Sequence, residues 1–239
     1  MLSYFWPDMK ERSSEVELMD LTSSDQEKLH TTLKQFQFVN LLLSRSRYLI
    51  KKYIISDMLK NRSTKYTFLD IGSGGCDIAI WLCKQCMKKG IKIHITCIDR
   101  DVRAVRYSTE KCKNYKDINV MQLDAFDLDD LDDFDYIFSN HFLHHLPDDK
   151  IGEIIRIVDR KTKKRFLFND IRRSRLAFLG FTIFGSIFLR NSFSYSDGRF
   201  SVKKGFTMEE FRKYQTSPSS IKVNKINPSR IYIINDIKV

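Results

Sequence analysis

Along this chain the spacing of apolar positions changes after about residue 60. Leu29, Leu33, Phe36 and Asn40 follow one another at helical intervals, and Ser24 with Glu27 three positions later predicts a capping box ahead of that helix. A second helical pattern runs from Tyr48 to Leu59, whereas residues 1–24 keep no sustained period and read as an arm. From Tyr66 onward, short apolar runs of strand length alternate with helical segments. They are "YTFLDI", a helix over Asp77 to Met87, "KIHITCID", a helix over Asp101 to Lys113, "INVMQLD" and "FDYIFSN". Pro147, at a first-turn position, opens a helix through Val158, and "KRFLFND" is the next strand. Hydrophobicity is nearly continuous within these strands. That predicts an α/β fold with a doubly wound, mostly parallel sheet and helices on both faces.

Beyond Asp170 the alternation stops. The apolar run "LAFLGFTIFGSIFL", Leu176 to Leu189, and the loop "RNSFSYSDGRFSVKKG" form an insertion, after which Thr207 and Glu210 supply a capping box for a short helix. Two β-rich runs split by Asn227 and Pro228 predict a C-terminal antiparallel hairpin that closes the sheet. The expected organisation is an N-terminal arm with helices over residues 1–60, serving as lid or cap, and a main domain over 61–239 with the insertion at about 171–206.

Length and charge narrow the partners. A chain of 239 residues holds one sizeable core. Its 41 Lys+Arg against 30 Asp+Glu give a net +11, which favours phosphates or an anionic membrane surface, although a lysine-rich solvated surface gives the same sum. Five cysteines lie in or beside predicted core elements and are expected as reduced thiols; Cys83 and Cys86 form a C-x-x-C with no second pair. No secretion signal is evident, which predicts a cytoplasmic protein. The Leu176 to Leu189 run falls short of the ~20 residues that cross a bilayer, so it is expected to line an apolar pocket or to touch a membrane surface.

The chemistry concentrates at strand ends. In a doubly wound sheet ligands sit at the carboxyl ends of the strands, and Asp70, Asp99, Asp124 and Asn140 each close a predicted strand. The loop "GSGG" that follows the first strand carries Gly72, Gly74 and Gly75. Asp77 occupies the third position of a dinucleotide fingerprint, where it would face a pyrophosphate, and the Gly-Lys-Ser/Thr ending of a triphosphate loop is missing. What remains is a nucleoside without phosphates. S-adenosylmethionine fits, with ribose hydroxyls for a carboxylate, a sulfonium cation, and an amino-acid tail for backbone N–H groups at a helix start.

With "LDIGSGG", "IDRD", "LDAF" and "FDYIFSNHFLHHL" in this order, the chain resembles the class I S-adenosylmethionine-dependent methyltransferases over roughly Tyr66 to Asp170. Within that Rossmann-like family it looks most like small-molecule enzymes of quinone, polyketide or phenolic-lipid pathways. The resemblance implies that Asp70 and the loop Gly72, Ser73 and Gly74 contact the methionine portion. It implies Asp99 on the ribose, Asp124 and Ala125 on the adenine edge, Phe126 or Arg100 stacked on its ring, and Asn140 and His141 beside the sulfonium. Cys76 departs from the family, standing where many relatives have glycine, and is expected to narrow the loop. Asp77 and Asp101 are read as helix caps. Arg12, Glu17 and Asp20 are implied members of a lid.

His141, His144 and His145 fall within one pentapeptide after the fourth strand and are the candidate catalytic residues, since an imidazole can take the proton of a phenol as it is methylated. No metal is expected, because no carboxylate or thiolate joins His141 and His145 in helical register. The phenylalanines Phe178, Phe181, Phe184 and Phe188 suggest a lipophilic or aromatic acceptor, with O-methylation favoured. Two other readings stay open: an RNA or protein methyltransferase, against which stands the lack of an Asn-Pro-Pro-Tyr-type segment, and a non-catalytic S-adenosylmethionine-binding protein at a membrane surface. Nucleic acid is not the expected partner, and nothing in the sequence fixes the oligomer.

Overall fold

The computed structural model describes residues 6–21, 25–60, 65–215 and 220–238. Seven strands form one sheet: β1 (Tyr66–Ile71), β2 (Ile93–Asp99), β3 (Ile118–Gln122), β4 (Phe134–Asn140), β5 (Thr162–Ile171), β6 (Ile221–Ile226) and β7 (Arg230–Asn235). Their order is β3-β2-β1-β4-β5-β7-β6. The first five strands pair parallel, while β7 runs antiparallel to both β5 and β6. The strand order reverses between β1 and β4, and that switch point opens a crevice at the strands' carboxyl ends.

Neighbouring residues on a strand point to opposite faces, and here both faces are covered. Phe68, Ile95 and Phe138 pack under one layer with Leu49 and Ile54 of the N-terminal helices and Leu82 of α4 (Asp77–Lys88). Leu69, Ile137 and Phe166 pack under the other, with Ile151, Ile154 and Val158 of α6 (Asp148–Lys161). This two-sided burial is why the strands read as continuous apolar runs.

The N-terminal helices are α1 (Gln26–Leu42), α2 (Ser46–Ile50) and α3 (Ser56–Lys60), the last two joined by a π-helical turn at Lys51–Ile55. The cap of α1 falls on Asp25, whose carboxylate accepts from the N–H groups of Glu27 and Lys28 at 2.8 and 3.1 Å; Ser24, expected in that role, lies outside the described residues. Asp101 caps α5 (Val102–Cys112) as expected, accepting from Arg103 N–H at 2.8 Å. Asp77 does not cap α4: the cap position is Cys76, and Asp77 instead accepts from the Asn40 amide at 3.1 Å. Pro147 stands one place before the first helical residue of α6.

The insertion departs most from expectation. Its apolar run forms α7 (Arg175–Phe188), and the segment read as a loop forms a helix of its own, α8 (Ser194–Lys204). The buried positions of α8 include Ser194, Asp197, Ser201 and Lys204, a polar stripe at helical spacing. Asp197, Ser201 and Lys204 turn inward to hold the N-terminal arm. Asp197 accepts from Leu18 and Met19 N–H, both at 2.9 Å, and Ser201 donates to Glu17 at 3.0 Å. The expected capping box of Thr207 and Glu210 opens the short α9 (Met208–Arg212).

Candidate active site

One cavity of about 950 Å³ runs from the glycine loop past the ends of β1, β2 and β4 to the inner face of α7. Gly72 turns the chain at φ +64°, and a Cβ there would stand 3.2 Å from the Phe142 ring. Gly74 sits at φ +49° and donates its N–H to Asp99 Oδ2 at 2.9 Å. Asp99 Oδ1 accepts a second backbone N–H, from Asp101, at 3.0 Å, so the carboxylate is fixed at the cavity wall by both oxygens. Each oxygen keeps a further lone pair for a ligand.

Of the residues singled out for the cofactor, Gly72, Ser73, Gly74, Asp99, Arg100, Asp124, Ala125, Phe126, Asn140 and His141 all line this cavity. Asp70 does not. It is 3 % exposed, beneath the loop. Asp124 spends one oxygen on Phe126 N–H at 3.0 Å, capping a 3₁₀ turn at Ala125–Asp130. Cys76 is fully buried beneath the loop, with its sulfur 3.6 Å from Ser73 Oγ. All five cysteines are free and buried, and burial pushes the Cys86 thiol up to about 12.

The crevice suits a cationic ligand without phosphates. Burial raises the pKa of Asp70, Asp77 and Asp99, and Cys76, Asp77 and Asp99 push Asp70 further up. A positive group in the cavity relieves this, and a pyrophosphate aggravates it. Asn140 is set by an amide relay in which its Nδ2 donates to Asn40 Oδ1 at 2.9 Å and its Oδ1 accepts from Asn169 Nδ2 at 2.7 Å. Asn40 looked like a member of an apolar stripe in the sequence, and nothing there signalled its use in this relay.

The three histidines have different surroundings. His141 stands at φ +60° with Nε2 engaged by the buried Arg230 guanidinium, and burial with Arg230 pulls its pKa well below the ordinary value. His144 is 1 % exposed. Its Nδ1 lies 2.7 Å from Asp170 Oδ1, and its Nε2 faces Glu17 Oε1 at 3.6 Å. Burial lowers the His144 pKa although Asp170 opposes it, while His144 holds Asp170 below the usual carboxylate range against the effect of burial. We therefore assign a neutral imidazole with Nδ1–H donated to an ionised Asp170. His145 is paired through Nδ1 with Asp20 at 3.0 Å; burial opposes its charge, but Glu17 and Asp20 raise its pKa.

Glu17, His144 and His145 also bring three ligand-type atoms within 4.8 Å of one another. The sequence pointed at a different pair, His141 and His145, and could not see the carboxylate arriving from the arm. Lys204 Nζ lies 3.4 Å from Glu17, so a cation already stands against this group. Arg12 secures the arm: it donates to the carbonyls of Lys204, His144 and Leu146 at 2.9, 3.2 and 3.1 Å, pairs with Asp148, and lies 4.3 Å over the Phe206 ring. Asp170 could have been found by the same strand-end rule that picked out Asp99. Arg230, just beyond the Pro228 turn, gave no signal.

No curated protein sequence matches the chain. Among solved structures, the CurJ carbon methyltransferase superposes with a TM-score of 0.65 at 15% identity, over 94% of this chain and 62% of that one. The plantazolicin methyltransferase BpumL, solved with a pentazolic desmethylPZN analog and SAH, gives 0.61 at 12% identity over 89% and 100%. A SAM dependent methyltransferase from Aquifex aeolicus gives 0.53 at 17% identity over 90% and 99%. At these identities the likeness is one of fold. The model of the family described as methyltransferase domain matches residues 62–216, well over half of the sequence. With that match and the crevice just described, the chain belongs to the methyltransferase-domain family and is a class I S-adenosylmethionine-dependent methyltransferase.

Proposed function

We propose that this enzyme methylates a small, lipophilic acceptor carrying an ionisable hydroxyl, a phenol or quinol, and that His144 removes its proton. The observation that carries the reading is the His144–Asp170 pair, whose histidine lines the same cavity as the apolar face of α7. S-adenosylmethionine, when bound, supplies an electrophilic methyl on a positively charged sulfur. Asp99 holds the ribose hydroxyls, Asp124 and Ala125 the adenine edge, and Phe126 or Arg100 its face. Gly72, Ser73 and Gly74 hold the methionine portion, with Asp70 acting from beneath the loop. Asn140 and His141 flank the sulfur.

His144 suits the base role for an electrostatic reason. Donation from Nδ1–H to Asp170 leaves the Nε2 lone pair for a proton, and burial keeps the ring neutral until the proton arrives. Once charged, the ring lies between two carboxylates, Asp170 at 2.7 Å and Glu17 at 3.6 Å, which stabilise the imidazolium as the acceptor oxygen gains its methyl. His141 is a poor candidate because Arg230 already occupies its Nε2. His145, raised by Glu17 and Asp20, serves better as a cation that holds the arm down. Ala177, Phe181 and Phe184 of α7 and Val202 of α8 form the acceptor's apolar walls.

A methyl-transfer screen of alkyl-substituted phenols, quinols and resorcinols tests the reading, with His144→Gln as the paired variant. Turnover on such acceptors that is lost in His144→Gln supports it. Turnover confined to RNA, protein or carbon acceptors refutes it.

A further inference from the structure

We infer that the outer faces of α1 and α7 form a docking surface for an anionic lipid bilayer, with the cavity mouth facing the membrane. On α7, Ile183, Ile187 and Phe188 are 54 %, 57 % and 54 % exposed. On α1, Phe38, Leu41 and Leu42 are exposed in the same way. The two faces are one surface: the Phe38 ring stacks on Phe184 and meets Phe188, each at 5.9 Å, and Gln35 donates to the Arg190 carbonyl at 2.8 Å. Water gains nothing from such a patch, and contiguous exposed apolar area of this kind marks a contact surface.

Charge selects the occupant. Between Glu27 and Asp57 the sequence carries Lys28, Lys34, Arg45, Arg47, Lys51 and Lys52 and no acidic residue. Between Asp170 and Asp197 it carries Arg172, Arg173, Arg175 and Arg190, again with no acidic residue; Arg173 is paired inward, to Glu210, and the Arg172 Nε is buried, which leaves Arg175 and Arg190 for the surface. Lys34 and Arg45 bracket the exposed apolar residues of α1, and Arg175 and Arg190 bracket those of α7. Trp6, 44 % exposed, sits by Arg175, 5.6 Å from its guanidinium, as an amphipathic ring does at a lipid headgroup boundary. Apolar stripes with basic ends match anionic headgroups over acyl chains. No helix among the described residues is long and apolar enough to cross a membrane, so the contact is in-plane.

Leu176 is 74 % exposed and also lines the cavity, so the cavity's mouth opens beside the patch. The outer face of α7 meets lipid while its inner face walls the acceptor chamber, and the acceptor then enters from the bilayer. This last point rests on the lipophilic acceptor proposed above; the docking itself does not.

Flotation of the full chain with phosphatidylglycerol–phosphatidylcholine vesicles, beside phosphatidylcholine alone, reads attachment without any turnover. The expected result is co-flotation with the anionic vesicles that weakens with salt, with binding to neutral vesicles at least about tenfold weaker. Ile183→Ser/Ile187→Ser should reduce binding about tenfold, and Arg190→Glu about fivefold or more. Titration of these variants with S-adenosylhomocysteine should match wild type, which shows them folded. The proposal is overturned if wild type stays in solution with anionic vesicles, or if the isoleucine variant floats as wild type does. It is equally overturned if wild type without vesicles is a dimer that the isoleucine variant splits, since a second copy then covers the face.

Discussion

Asp99→Ala is the most informative single change in the crevice. In the wild type its carboxylate holds Gly74 N–H at 2.9 Å and Asp101 N–H at 3.0 Å and lines the cavity, and under the proposed function it takes the two ribose hydroxyls of the cofactor. A hydrogen bond to a charged group contributes about 1.5–3 kcal/mol. Two ribose bonds at the lower end of that range sum to about 3 kcal/mol, equivalent to about a 150-fold loss in affinity. The assay is calorimetric titration with S-adenosylhomocysteine. Loss of the Asp101 partner also loosens the start of α5, so a fall in Tm of about 2–4 °C should accompany the binding defect without abolishing folding. A variant that folds and binds within about threefold of wild type would refute the ribose assignment, because even one lost charged hydrogen bond exceeds that.

His144→Gln should lower kcat by about 10²–10⁴ with S-adenosylhomocysteine affinity unchanged, as removal of a general base does in steady-state kinetics. Gly198→Ala drives a Cβ to within 2.1 Å of the Phe181 ring, so it should reduce stability by about 1–3 kcal/mol and raise the acceptor KM while sparing cofactor binding. Arg12→Ala removes the anchor between the arm and residues His144, Leu146, Asp148 and Lys204; limited proteolysis should cut the arm faster in this variant. His145 gives a pH dependence with a definite sign. Its folded pKa is raised above 6.5, so the stability from its pairing with Glu17 and Asp20 is fully present below 6.5 and lost as pH rises through the folded value. The Tm difference between wild type and His145→Gln should therefore shrink on going from about pH 6.5 to about pH 9. Asp197, raised by burial to about 6, still titrates at the lower end of that window, but it does so in both proteins and so drops out of the difference.

The parts of the fold that bury apolar surface on a regular period were legible in the sequence. β1 matches "YTFLDI", β4 matches "FDYIFSN", and the Asn227–Pro228 turn separates the hairpin strands as expected. α8 was hidden because its inner face is polar: Ser194, Asp197, Ser201 and Lys204 are buried, the last three against the arm, so hydrophobic spacing carried no sign of them. The arm was read as a lid carrying Arg12, Glu17 and Asp20, but the partners of those residues were hidden for the complementary reason. Glu17 is 1 % exposed and Asp20 pairs with His145 about 125 positions away, contacts that follow from tertiary packing alone. The strand-end rule reached Asp99 and Asn140 but placed Asp70 in the open crevice, where depth beneath the loop decides otherwise. The histidines were visible as a cluster. Which of them carries a free lone pair was set by Asp170, Arg230 and Asp20, each from another part of the chain.

A crystal structure of the protein grown with S-adenosylhomocysteine tests the central claim most directly. The account predicts the nucleoside in the crevice beside Gly72, with its ribose hydroxyls on Asp99, its adenine between Asp124 and Phe126, and its sulfur beside Asn140 and His141. A ribose displaced from Asp99, or the same crevice preferring a pyrophosphate-bearing nucleotide, would contradict it.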